Sequence, residues 1–247
     1  MPTTDRGRPA EPDLEVAAGD VVAADLEGTL TDGETWRGLG RWLAAHGRGG
    51  EYRRFLALRL PAVAVVRAGL IDRQAFRDRW IRDLVAHLAG ADRAQVDEVA
   101  AWIVDEELWP APRERLLARL SDQRDRGARV VVVSGTYAPV LARFCALAGL
   151  EGVGTPLEFA GDRFTGRLAG PVNTGSRKVE RLARHIGTAP LRRAYGDSSA
   201  DSALLAASAD PVAVTPDRAL ERAARARGWR ILDAEGAVVT DGPRRPS

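Results

Sequence analysis

The sequence predicts an α/β protein: a doubly wound parallel sheet, an inserted α-helical cap domain and a small β-hairpin flap. Three observations predict it. Four short apolar runs, each bounded by Gly, Asp or Ser, read as strands buried on both faces. A helical segment follows each of the last three, the alternation that right-handed crossovers require. Between the first run and the second lie about 75 residues of helical periodicity with no convincing strand.

The elements follow in chain order. Residues 1–18 ("MPTTDRGRPAEPD…") are polar and proline-containing and read as a frayed tail. The first strand is "DVVAAD" (20–25). Residues 36–112 carry helical periodicity in "GRWLAAHG", "EYRRFLALRLPAVAVVRAGL", "RQAFRDRWIRDLVAHLAG" and "RAQVDEVAAWIVDEEL", and they form the expected cap over the carboxyl edge of the sheet. The second strand, "ARVVVVSG" (128–135), leads into the helix "YAPVLARFCALAGL". In "TPLEFAGDRFTGRLAG" (155–170), the "AGDR" turn between alternating segments reads as the hairpin. Next come the helix "SRKVERLARHIG", the strand "RRAYGD" (192–197), the helix "SADSALLAAS", the strand "DPVAV" (210–214) and the helix "DRALERAARARG". A short edge strand "WRIL" (229–232) closes the core. The expected organisation is a discontinuous core (19–35 and 113–235), a cap (36–112) and a closing tail (236–247).

Composition narrows the function classes. Hydrophobic residues make up 45% and charged residues 28%, ordinary for a globular chain, and the net charge is only +2. Arginines alternate with acids along helical faces, so no basic stripe is left for nucleic acid. The single cysteine, Cys145, excludes an intrachain disulfide and sits among apolar neighbours as core filler. No apolar run approaches the ~20 residues of a membrane span, and nothing resembles a signal peptide, so the expected location is the cytoplasm.

The chemistry gathers at strand ends, where open α/β sheets bind ligands. The first strand ends in "DLEGTLT", with Asp25 and Glu27 two apart, then Gly28 and Thr29. The second ends in Ser134-Gly135-Thr136, which reads as the opening of a helix and, with that helix's free N–H groups, as an anion site. The third ends in "GDSSAD", with Asp197 and Asp201 four apart. Like carboxylates at one edge repel unless a cation joins them, and an oxygen-rich set suits Mg²⁺. Lysine occurs once, as Lys178, against thirty-five arginines. Its compact ammonium fits where a planar guanidinium does not. The three histidines, His46, His87 and His185, lie on helical segments and read as structural.

In this order the residues resemble the haloacid dehalogenase superfamily of phosphatases, in the branch that contains phosphoserine phosphatase. Asp25-Leu26-Glu27-Gly28-Thr29 matches that family's Asp-x-Asp-x-Thr, Ser134 its second motif and Lys178 its third. Gly196, Asp197 and Asp201 match its Gly-Asp-x-x-x-Asp. The resemblance covers about residues 20–232 and implies a Rossmann-like core whose cap follows the first motif. It implies an aspartyl-phosphate formed on Asp25, with Glu27 moving protons. Mg²⁺ would be held by Asp25, Asp197 and the Glu27 backbone carbonyl, with Asp201 just behind. Thr29, Ser134, Gly135 and Lys178 would hold the phosphoryl group.

Glu34 falls where phosphoserine phosphatase meets its substrate's amino group, and Arg77 where it meets the carboxylate. The implied partner is a small phosphate ester, such as phosphoserine or a related amino-acid phosphate, and a homodimer is compatible. Glu27 departs from the family's usual Asp. Relatives with that change include a phosphotransferase, so transfer to an acceptor alcohol stands as an alternative. So do phosphatases of lipid head-groups, since a cap rich in Trp36, Trp42, Trp80, Trp102 and Trp109 suits an apolar substrate, and a member that only binds.

Overall fold

In the computed structural model, which describes residues 15–67, 70 and 72–240, the apolar runs form the middle of a seven-stranded sheet. The strands are β1 (Val21–Ala24), β2 (Arg129–Tyr137), β3 (Glu151–Thr155), β4 (Leu157–Ala160), β5 (Arg163–Leu168), β6 (Leu191–Gly196), β7 (Asp210–Val214), β8 (Arg230–Leu232) and β9 (Val238–Thr240). The helices are α1 (Thr35–Ala45), α2 (Gly49–Arg67), α3 (Arg73–Val85), α4 (Arg93–Ile103), α5 (Glu114–Asp125), α6 (Ala138–Ala148), α7 (Ser176–Ile186), α8 (Ser202–Ala207) and α9 (Arg218–Arg227). The sheet order is β3-β2-β1-β6-β7-β8-β9, parallel throughout except for the antiparallel β9. It is the doubly wound architecture the alternation predicts. The order reverses around β1, so the crevice between β1, β2 and β6 is the place for a ligand.

Side chains leave the strands alternately to two cores. Val22, Ala24, Val130 and Val132 face one, with Leu120 of α5 and Phe144 of α6. Val21, Ala23, Val131 and Val133 face the other, with Leu182 of α7, Leu205 of α8 and Leu220 of α9. The first core continues without a break into Leu39, Leu84 and Ile103 of the helices between β1 and β2. The hairpin β4–β5 leans on those helices: the Gly90 N–H donates to Phe164 O, and Phe164 N–H to Ala91 O, both at 2.8 Å. Among the described residues no helix is long and apolar enough to cross a membrane.

Four readings need correction. β3 was not anticipated, because Gly152 and Gly154 interrupt its apolar pattern. Those glycines let α6 lie close, since a Cβ on Gly152 would meet Cys145 Sγ and Leu141 Cγ at 3.0 Å. "WRIL" is not the edge, because β9 forms from Val238–Thr240 inside the stretch read as the closing tail; residues 241–247 lie outside the described ones. The amino-terminal tail ends earlier than residue 18. Val16 is buried and Gly19 N–H donates to Gly127 O at 3.1 Å, while residues 1–14 lie outside the description. Finally, β2 runs on through Tyr137, so Ser134 stands four residues before α6 rather than at its opening. A register shift between Val133 and Tyr137 keeps that extension paired with β3.

Candidate active site

The three central strands deliver their polar ends to one place. Asp25 directly follows β1, anchored by its N–H to Tyr195 O at 3.0 Å, and is only 7% exposed. The chain then turns tightly, Leu30 N–H donating to Leu26 O at 2.7 Å. Gly28 is required in that turn. Its φ is +83°, and a Cβ there would stand 2.4 Å from Asp197 Oδ2. Asp197 follows β6, and the Thr29 hydroxyl donates to its Oδ1 at 3.3 Å. Thr29 is thus fully buried behind Asp197, where it positions that carboxylate.

Lys178, on the first turn of α7, is 3% exposed, and its Nζ lies 2.5 Å from both Asp25 Oδ1 and Asp201 Oδ1. Asp201 is fully engaged, because its Oδ2 accepts from Ser198 Oγ at 3.0 Å and from Ser198 N–H at 3.2 Å. Asp25, Asp197 and Asp201 bring carboxylate oxygens within 4.8 Å of one another. Burial pushes the Asp25 carboxyl up to about 6, against the pull of Lys178. Burial and then Asp25 push Asp197 up to about 8. Burial alone would lower Lys178; Asp201 and Asp25 outweigh it and raise the ammonium above its ordinary value.

The donor set fits a hard divalent cation. Two buried carboxylates and one half-buried one face one ammonium, and among the described residues only Asp25 and Asp197 of the three keep oxygens uncommitted. A stability test follows. A carboxyl held above its unfolded pKa binds its proton more tightly in the folded state, so folding is favoured at low pH and loses that contribution as pH rises through the folded value. Without metal, the melting temperature should fall by several degrees between about pH 5 and pH 8, the window that Asp25 and Asp197 set. Saturating Mg²⁺ should cancel the fall. Calorimetric scans across pH, with Mg²⁺ and with chelator, check it; parallel curves would reject the site.

Glu27 stands apart from the three aspartates. Its Oε1 accepts from Thr35 N–H at 2.9 Å and from the Thr136 hydroxyl at 3.0 Å. Thr136 and Thr35 in turn share a hydrogen bond of 2.5 Å. Their part was missed in the sequence, since Thr35 opens α1, a different element from the strand before Glu27, and Thr136 was read only as part of a helix opening. Ser134 is buried, its Oγ accepting from Thr136 N–H at 3.2 Å, and it lines the same cavity as Gly135.

That cavity, about 730 Å³, also takes in Glu34 and Arg77. Glu34 is already engaged by the Trp36 indole N–H and by Arg37 at 3.7 Å, and burial raises its pKa. Arg77 makes no hydrogen bond or ion pair among the described residues. Thr174 was also missed: its hydroxyl donates to Asp78 of α3 at 2.9 Å, joining the loop before α7 to the inserted helices. No histidine lines the cavity; His46 stacks on Trp42, while His87 and His185 meet Glu51 and Glu151. Burial pushes the Cys145 thiol up to about 12, which keeps it unreactive.

Comparison with known proteins agrees with this geometry. A family model described as haloacid dehalogenase-like hydrolase matches residues 22–206. The chain is 30% identical over 244 residues to a Mycobacterium tuberculosis protein named phosphoserine phosphatase SerB1, covering 94% of this chain and 76% of that one. Among solved structures, a Bordetella pertussis protein of unknown function superposes with a TM-score of 0.75 at 22% identity, covering 88% of this chain and all of that one. A phospho-aspartyl intermediate analogue of phosphoserine phosphatase superposes with a TM-score of 0.58 at 18% identity, covering 88% and 94%. At such identities the structural likenesses establish a shared fold.

Proposed function

Because the chain belongs to the haloacid dehalogenase-like hydrolase family and is a phosphatase, we propose that it hydrolyses a small phosphate monoester with Mg²⁺ through an aspartyl-phosphate on Asp25. One observation carries the reading: the solitary lysine is buried 2.5 Å from both Asp25 and Asp201, with Asp197 beside them. In this reading residues 36–112 act as the cap, and 19–35 with 113–235 as the catalytic core.

A carboxylate oxygen of Asp25 forms a bond to phosphorus as the ester P–O bond breaks. The alkoxide leaves with the proton that Glu27 gives it. In the second step Glu27 takes a proton from water, whose oxygen attacks phosphorus and frees Asp25. Lys178 and the Ser134 hydroxyl offset charge on the phosphoryl oxygens, and Thr29 holds Asp197 in place. Mg²⁺, held by Asp25, Asp197 and the Glu27 carbonyl, would supply further charge neutralisation. Asp201 fixes Lys178.

Thr35 N–H and the Thr136 hydroxyl fix where the longer Glu27 side chain ends. Thr136→Val should therefore lower kcat about ten- to a hundredfold, the worth of one hydrogen bond to a charged group, with Thr136→Ser restoring it. An unchanged rate would mean that Glu27 is placed by something else.

The proposal is tested by free-phosphate release from a metabolite ester panel with Mg²⁺, each ester assayed with and without acceptor alcohols. Release that falls as an alcohol is added marks transfer instead of hydrolysis. Glu34 and Arg77 line the cavity with Asp25, so phosphoserine belongs in the panel beside esters of other alcohols.

A further inference from the structure

The cavity has two unlike ends. Around Asp25 it is lined by carboxylates, hydroxyls and Lys178. The part made by the inserted helices is mostly apolar, formed by Trp36, Leu56, Leu60, Phe76, Trp80 and Ile81. These side chains do not fill the space between them. The aromatic wall is held together by ring contacts: Phe55, outside the lining, packs edge-on against Trp80 with ring centroids 5.0 Å apart, and the lining residues Trp36 and Phe76 meet the same ring at 6.0 and 5.8 Å. A volume of about 730 Å³ is in the upper part of the ~300–1,000 Å³ range of sites that enclose drug-sized ligands. It greatly exceeds what the phosphate ester of a three-carbon amino acid needs. The wall also reaches the outside, because Leu60 lines the cavity and is still 55% exposed. The acidic group that would meet a substrate amine, Glu34, is already taken up by Trp36 and Arg37.

We infer that the substrate is a phosphate monoester whose alcohol carries an apolar group of about six carbons or more, seated against Trp36, Leu56, Leu60 and Trp80. This rests on the phosphatase reading above and names the substrate class of the same site. Each methylene moved from water onto that wall raises kcat/KM by about threefold until the wall is covered. Arg77, an exposed residue of the same lining, tolerates a second anionic group on the alcohol.

The test measures kcat/KM with Mg²⁺ for ethyl, butyl, hexyl and octyl phosphate, 2-phenylethyl phosphate and phosphoserine. In parallel, calorimetric titration compares ethylphosphonate with hexylphosphonate, which bind without turnover. The expected result is at least a tenfold rise in kcat/KM from ethyl to hexyl phosphate, or from ethyl to 2-phenylethyl phosphate. These two arms separate a fatty chain from an aromatic alcohol. Hexylphosphonate should bind more tightly than ethylphosphonate and with a more negative heat-capacity change. Leu60→Ser, at a half-exposed position, should flatten the chain-length dependence in both assays. Hydrolysis with a flat dependence, or with phosphoserine the best substrate, overturns the inference and leaves the phosphatase reading standing. Tighter hexylphosphonate binding with no hydrolysis of any ester supports the apolar site while removing the phosphatase reading.

Discussion

Asp25→Asn should lower kcat by at least about a thousandfold while the protein stays folded. The carboxamide has nearly the same shape but no anionic oxygen to bond to phosphorus. Stability should hold, because Asp25 is a buried carboxyl whose pKa burial raises, so the charge itself is a cost in the metal-free state. Lys178 keeps Asp201 as its partner at 2.5 Å. Phosphate-release rates, a thermal scan and a search for acid-stable label after incubation with ³²P-ester check each part. Activity above a few per cent of wild type would mean that another group attacks phosphorus.

Lys178→Arg should lower kcat/KM by at least about a hundredfold although the charge is conserved. The ammonium is 3% exposed and sits between two carboxylate oxygens at 2.5 Å each. A planar guanidinium is broader and spreads its charge over a rigid fork. To meet both aspartates it must push one of them aside, and Asp201 is fastened to Ser198. Lys178→Met separates shape from charge: it leaves the buried carboxylates without their cation, and breaking such a pair costs about 3–5 kcal/mol of stability. If arginine is as damaging as methionine to turnover but milder to stability, shape governs the chemistry. Near wild-type turnover in the arginine variant would make the lone lysine an accident of an arginine-rich composition.

Asp25 was legible because it directly follows a strand whose own pattern is strong. Val21–Ala24 is apolar throughout, so its carboxyl end, and Asp25 with it, could be placed from the chain alone, whereas the end of β2 was set too early at Ser134. β3 was hidden because glycine serves there for close approach by α6, and glycine carries no strand signal. β9 was hidden because Val238–Thr240 is three residues long and exists only where β8 offers an edge. The contacts that refine the site were unreadable for a different reason. Thr136 with Glu27, Trp36 with Glu34 and Thr29 with Asp197 are set by how backbones meet in space. The motif residue Thr29 illustrates the limit: its type was legible, but its partner, a carboxylate 168 positions away, was not.

The pairing of β1 with β2 joins Val21 to Arg129 across more than a hundred residues of chain. Closing a loop of that length costs roughly 4 kcal/mol in chain entropy before any contact repays it. Neighbours such as β2 with β3, or β6 with β7, face a much shorter search. Asp25 therefore follows a strand whose two neighbours, β2 and β6, are both distant from it in the chain. Until β1 pairs with both neighbours, Asp25 is held apart from Asp197 and Lys178, whatever local secondary structure has formed.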